Sequence, residues 1–188
     1  MTASQQAQPI EIRVEGVEQL FNTLDPFPFP ERDLDSDAEE YIVGWARELA
    51  HQGPFTIVVH LPAREADGEP ARGLPRALAR FFAYRADVLG RDFNELFRVG
   101  RIALLVGLAV LGLCLAASQV VSAAAGESYL GRFLGESLVI VGWVANWRPI
   151  EIFLYDWWPL ARRRDLYRRL AVASVILNPV TEVKEGSN

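Results

Sequence analysis

The chain has 188 residues, of which 51% are hydrophobic and 23% charged, and its formal charge is −5. That length holds one ordinary domain, or a small domain with a membrane anchor. The acidic balance speaks against a general nucleic-acid binder, which carries a basic face, and a single cysteine, Cys114, leaves no intrachain disulfide to form.

The opening MTASQQAQPIE lacks a basic start followed by an apolar run, so no cleavable signal is expected and the N-terminus stays in the cytoplasm. Residues 1–9 read as a disordered tail. A cytoplasmic domain of mixed α and β structure is expected over residues 10–100. Ile10 to Val14 alternates as a half-buried strand does, and VEQLFNTL forms a helical turn or two. The loop DPFPFPERD is stiffened by Pro26, Pro28 and Pro30, leaving Phe27 and Phe29 free to pack on a neighbour; with Asp33 and Asp35 they form a candidate partner-docking loop.

A capping box, Ser36 with Glu39 or Asp37 with Glu40, opens a helix with Ala38, Tyr41, Ile42, Trp45 and Leu49 on one face, and Gly53 with Pro54 ends it. Phe55 to Leu61 (FTIVVHL) is apolar and β-branched enough to be a strand covered on both faces. PAREADGEPARG follows as an exposed loop. A long amphipathic helix from Leu74 to Val99 sets Leu78, Phe81, Phe82, Val88, Leu89, Leu96 and Phe97 roughly on one side and runs, with a bend at Gly90, straight into the next segment.

Ile102 to Ala125 carries no charge. As helix, residues 102–124 rise roughly 34 Å, enough to cross a hydrocarbon core of about 30 Å. A second span is expected over 129–147, so that 101–148 forms a transmembrane hairpin. This span includes Arg132, Glu136 and Asn146; Arg132 and Glu136 lie four apart and can pair on one face. Polar groups inside a membrane either anchor at its interface or line a pathway. Gly107, Gly112, Gly135 and Gly142 permit close helix contact.

Arg85, Arg91, Arg98 and Arg101 precede the first span, and Arg148, Arg162, Arg163, Arg164, Arg168 and Arg169 follow the second. Basic flanks stay inside, so both termini are expected in the cytoplasm. Residues 149–170 read as an interfacial and basic helix. Pro149 starts it, Ile150, Phe153, Leu154, Trp157 and Trp158 recur at helical spacing, and Trp143, Trp147, Arg148, Trp157, Trp158, Arg162, Arg163 and Arg164 suit the headgroup zone. Residues 171–179 (AVASVIL closed by Asn178 and Pro179) read as a third strand rejoining the first two, and 180–188 as a tail. The fold class is therefore an α+β membrane protein, a transmembrane helical hairpin with a small cytoplasmic domain of about three strands covered by amphipathic helices.

Chemistry is sparse. Asp33, Asp35, Asp37 and Glu39 begin like a calcium loop, but Ala38 and Gly44 stand where glycine and a bidentate glutamate are needed. His51 and His60 have no partner at zinc-ligand spacing, and His60 reads as a hydrogen-bonded core residue. No phosphate loop, nucleophile elbow or zinc-protease helix is present. Neither catalytic residue, cofactor, metal nor small-molecule substrate is expected.

The stretches FNTLDPFPFPERDLDSDAEEYIV (21–43), FTIVVHLP (55–62), FFAYRADVLGRDFNELFRVGRIALLVGL (81–108) and IEIFLYDWWPLARRRDLYRRL (150–170) resemble a family of uncharacterised bacterial two-helix inner-membrane proteins. The LDP…DLD…AEEYI and FLYDWWP patterns carry the resemblance. It implies a bacterial inner-membrane protein with the same hairpin, and no catalytic residues. The leading expectation is a non-enzymatic accessory or scaffold protein that docks a protein partner or another copy of itself, possible partners otherwise being the lipid bilayer. The alternatives are a homo-oligomeric channel or transporter component, and a membrane-tethered metal-dependent enzyme using the Asp33–Glu40 segment.

Overall fold

The computed structural model describes residues 8–29, 31–49, 53–125 and 128–180. The chain is mostly helical with one small sheet, and divides into two compact units: Met1–Val88 with Arg163–Asn188, and Leu89–Arg162. Of the expected tails, residues 1–7 and 181–188 lie outside the described residues, as does His51, while Val180 belongs to a strand.

In the first unit, β1 (Ile10–Arg13), β2 (Thr56–Pro62) and β3 (Ser174–Val180) form a parallel sheet in the order β1-β2-β3. A 3-10 turn (Val17–Leu20) and α1 (Ser36–Glu48) connect β1 to β2. The connection from β2 to β3 holds α2 (Ala63–Ala66), the start of α3 (Glu69–Ala125), the whole second unit, and the end of α6 (Trp157–Ala171). Ile10, Ile57, Val59 and Leu61 are buried, in a core with Ile42 and Ala46 of α1, Leu74, Leu78 and Phe82 of α3, and Leu166, Tyr167 and Leu170 of α6.

β2 is covered on one face, not both: Ile57, Val59 and Leu61 are buried while Val58 and His60 are only half-buried. The order β1-β2-β3 never reverses direction. Crossovers of one hand then all fall on the same side of the sheet, and the other face stays open.

Three boundaries differ from the sequence reading. The segment expected as an exposed loop is α2 and the first turns of α3, with Ala71 fully buried. β3 starts at Ser174, because α6 runs to Ala171, and it contains Asn178 and Pro179 instead of ending at them. An edge strand tolerates proline, whose missing N–H faces away from the ladder. The buried face of α1 is Ile42, Val43 and Ala46, with Tyr41 and Trp45 exposed, and α1 ends at Glu48. Gly53 then turns the chain with φ +98°, a conformation that favours glycine.

In the second unit, α3 continues without interruption through Gly90 to Ala125. α4 (Tyr129–Val144), α5 (Trp147–Glu151), a π turn (Ile152–Asp156) and α6 run back along it. The seam is antiparallel and close. A Cβ at Gly131 would fall 2.5 Å from Ala125 Cβ, one at Gly135 3.2 Å from Ser118 Oγ, and one at Gly142 2.8 Å from Leu111 Cδ1. Farther along, a Cβ at Gly107 would lie 2.7 Å from Asn146 Oδ1, and one at Gly100 2.8 Å from Ile152 Cγ2. Phe97 and Phe153 close the seam with ring centroids 5.8 Å apart. Gly112, expected in the seam, meets nothing within 4 Å.

Candidate functional site

Two places in the first unit are shaped to receive something. One is a groove of about 440 Å³ between the 22–33 loop and α3, lined by Leu24, Phe27, Asp33, Arg80, Phe81 and Tyr84 among others. The loop is pinned at its base. Asn22 N donates to Asp33 O at 2.9 Å, Asp35 N donates to Leu20 O at 2.9 Å, and Phe21 bridges Leu34. Its organiser is Asp25, whose carboxylate accepts from Phe27 N at 3.0 Å and Asp33 N at 2.7 Å. The Asp33 and Phe27 amides hold its pKa below the ordinary value.

The four residues assigned to this loop from sequence therefore separate. Phe27 and Asp33 line the groove. Phe29 is not free: its ring meets Phe21 edge-on at 5.2 Å, and a Cβ at Gly73 would come within 2.7 Å of it. Asp35 is the N-cap of α1, accepting from Asp37 N at 3.0 Å, in the place expected of Ser36 or Asp37. Leu24, at 89% exposed, is the groove's most open apolar surface, followed by Phe27 and Tyr84. Glu31 and Arg80 pair across its rim at 2.9 Å.

The other place is a concavity of about 540 Å³ at the carboxyl ends of the strands, lined by Arg13, Val14, Glu15, Gln19, His60, Leu61, Pro62 and Val180. His60 belongs to the open sheet face, not the core. Its Nε2 lies 3.3 Å from Glu11 Oε2, and its Nδ1 accepts from Asn178 Nδ2 at 3.2 Å. The row ties all three strands together. Ligand crevices in parallel sheets form where strand order reverses, and this sheet has no reversal.

A polar cluster that the sequence reading missed links three helices of the same unit. Arg85 binds Glu39 through Nε at 3.2 Å and Nη2 at 2.8 and 2.9 Å, and Tyr167 Oη donates to Glu39 Oε1 at 2.5 Å. The Glu39 carboxylate raises the pKa of Arg85, and burial, then the Glu39 hydrogen bond, raises that of Tyr167. Glu39 reads in sequence as a capping-box residue. Its partners lie too far along the chain for any local signal.

In the second unit, Asn146 is buried in the seam. Its Nδ2 donates to Gly107 O at 3.1 Å and Gly142 O at 3.0 Å, and Ser118 Oγ donates to Gly135 O at 3.0 Å. Asn146 thus clips the two arms together. Arg132 and Glu136 share an exposed face of α4, but among the described residues no ion pair joins them. Arg148 pairs with Glu151 at 3.3 Å and Asp156 at 3.0 Å, and Trp147 Nε1 donates to Glu151 at 2.8 Å.

Trp143, Trp147 and Trp158 are exposed, Trp157 is half-buried with Nε1 donating to Phe153 O at 3.0 Å, and Arg162 lies over the Trp158 ring at 4.7 Å. The buried residues of this helical run are Pro149 and Ile152; of the expected helical stripe, Ile150, Leu154 and Trp158 are exposed and Phe153 and Trp157 half-buried. In the first unit, Arg163 lies over the Tyr167 ring at 5.8 Å, and Arg164 lies 3.7 Å from Asp165.

Among the described residues no group of three or more His, Cys, Asp or Glu side chains is placed to hold a metal ion. Comparison with protein-family models, with curated proteins and with solved structures finds no match to the chain.

Proposed function

We propose that this is a non-enzymatic accessory or scaffold protein of a bacterial inner membrane, anchored by the α3–α4 hairpin with both flanks in the cytoplasm, which docks a protein partner in the 22–33 groove. One observation carries the anchor. Two helical runs, Glu69–Ala125 and Tyr129–Ala171, are long and apolar enough to cross a membrane, yet only 6% and 22% of their most apolar stretches are buried. The core helix of a water-soluble protein would be mostly buried, and exposed apolar area on this scale needs a non-aqueous solvent. The seam from Phe97 to Ala125 spans about 42 Å of helix, more than a hydrocarbon core of about 30 Å.

The orientation is supported by the arginines on both flanks and by the sheet. β2 precedes the hairpin and β3 follows it, yet they are hydrogen-bonded neighbours, which supports a reading with both flanks on one side of the bilayer. The resemblance to two-helix inner-membrane proteins agrees with this. The docking role is supported by Leu24 and Phe27, apolar side chains held open on a loop that Asp25 and Phe29 fix in place, and by the exposed Tyr84 of α3 facing the same groove. A preformed loop spends little ordering entropy on binding. The chemistry that fits is a segment presenting a large apolar side chain.

The test places a photo-crosslinking residue at Phe27, at Tyr84, or at the exposed Glu18 in cells. Adducts of one defined mass from Phe27 and Tyr84 only, abolished by Leu24→Asp, are expected. Equal labelling from Glu18, or none from the groove, contradicts the docking role. Release of the protein from membranes by alkaline carbonate contradicts the anchor.

A further inference from the structure

We propose that the outward face of α4 is a self-association surface, on which Arg132 and Glu136 of one copy pair with Glu136 and Arg132 of a second copy in the same membrane. The inference rests on the membrane reading above and goes beyond it by naming the partner and the contact.

The glycines of α4 place these charges. Gly131, Gly135 and Gly142 are buried against α3, so Arg132 and Glu136, the residues just after two of them, project off the seam with Phe133 and Ile140. Gln119 of α3 is exposed at the same depth, because its neighbour Ser118 bonds Gly135 O at 3.0 Å. Arg132 stands in the first turn of α4 and can reach the headgroups by extending its stem. Glu136 lies one turn deeper on a shorter side chain. Charged groups inside spans almost always face protein or a water-filled cavity and pair there. Neither residue has an ion-pair partner among the described residues.

Charge complementarity selects the occupant. The face carries both signs one helical turn apart, about 6 Å along the axis. Two copies in one membrane share an orientation, so a two-fold axis along the helices brings each Arg132 within reach of the other copy's Glu136. Such a contact is isologous and makes two identical pairs at once. A partner of a single sign would leave one charge unmatched. Phe133 and Ile140 supply the apolar packing around the pairs.

The experiment counts subunits by single-molecule photobleaching of the full chain in liposomes over a range of protein-to-lipid ratios. The wild type is expected to bleach in two steps. Glu136→Arg, which sets like charges together, weakens the dimer: it dissociates at a protein density about tenfold higher or more. The double exchange Arg132→Glu with Glu136→Arg restores two-step bleaching to within about threefold of the wild-type density. Single-step bleaching of the wild type at every ratio, assemblies of more than two copies, or a Glu136→Arg variant that dimerises like the wild type overturns the pairing. Alkaline extraction of the same liposomes separates the two readings. Retained monomers overturn the pairing alone, whereas released protein overturns the membrane anchor beneath it.

Discussion

The two units bury their side chains by opposite rules. In the sheet-bearing unit, large residues such as Phe82, Tyr167, Ile57 and Leu74 point inward, and the carboxylate of the largely buried Glu39 is satisfied by Arg85 and Tyr167. In the hairpin the small residues point inward. Gly107, Gly131, Gly135 and Gly142 form the seam, and Leu105, Leu113, Phe133 and Ile140 face out. Water drives large apolar groups together, but lipid does not, and helices in lipid associate through close backbone approach and hydrogen bonds. One chain with both patterns fits the proposal of a water-facing unit and a lipid-facing one.

The sharpest way to break that comparison is one kind of truncation made in both units. Phe82→Ala should destabilise the first unit by about 3–5 kcal/mol, whereas Leu113→Ala, at a side chain 71% exposed in the hairpin, should change thermal stability in detergent very little. Equal losses would mean that both units obey the rule for water.

Next comes Glu39→Ala, which leaves Tyr167 Oη and a partly exposed Arg85 without their partner. A loss of about 2 kcal/mol is expected, discounted for the solvent that reaches Arg85, against about 1 kcal/mol for Tyr167→Phe; chemical denaturation measures both. The raised pKa of Tyr167 fixes the sign of the alkaline dependence. Its contribution is present below the ordinary tyrosine value and is lost as pH rises through the folded one.

Gly107→Val forces a side chain against Asn146 and the Ala145 carbonyl oxygen and should cost about 1–3 kcal/mol. Asn146→Ala removes only the clip, about 1 kcal/mol. Spin-label distances across the seam should widen in the first and barely move in the second. The smallest effect is local. Because the Asp25 pKa is depressed, its hold on the loop persists above the ordinary carboxylate value and is lost as pH falls through the folded one. Exchange of the Phe27 and Asp33 amides should accelerate at that acid edge, and should be fast at every pH in Asp25→Ala.

The apolar run of α3 was plain from sequence because an uncharged stretch of that length has few other uses, and β1, α1 and the core of β2 follow from alternation and capping. The first turns of α3 were not. Pro70 and Gly73 read as loop punctuation, but Pro70 stands in the first turn of α3, where proline is tolerated, and Gly73 is there to admit the Phe29 ring. The open sheet face escaped notice because an apolar run does not say how many of its faces are covered. Strand order decides that. The groove is legible in part: Phe27 and Asp33 stand where the loop suggests, and Asp25, an aspartate before proline that accepts from the amide two residues on, is a turn signal that sequence alone offers. Arg85 and Tyr167 find Glu39 only through the tertiary fold.

The solvent around Leu113 tests the proposed membrane anchor most directly. With Cys114 replaced by alanine and a nitroxide attached to cysteine at Leu113, the full chain in liposomes should show relaxation strongly enhanced by oxygen and scarcely by a water-soluble nickel chelate. Strong enhancement by the chelate would put this face in water and contradict the hairpin's role as an anchor.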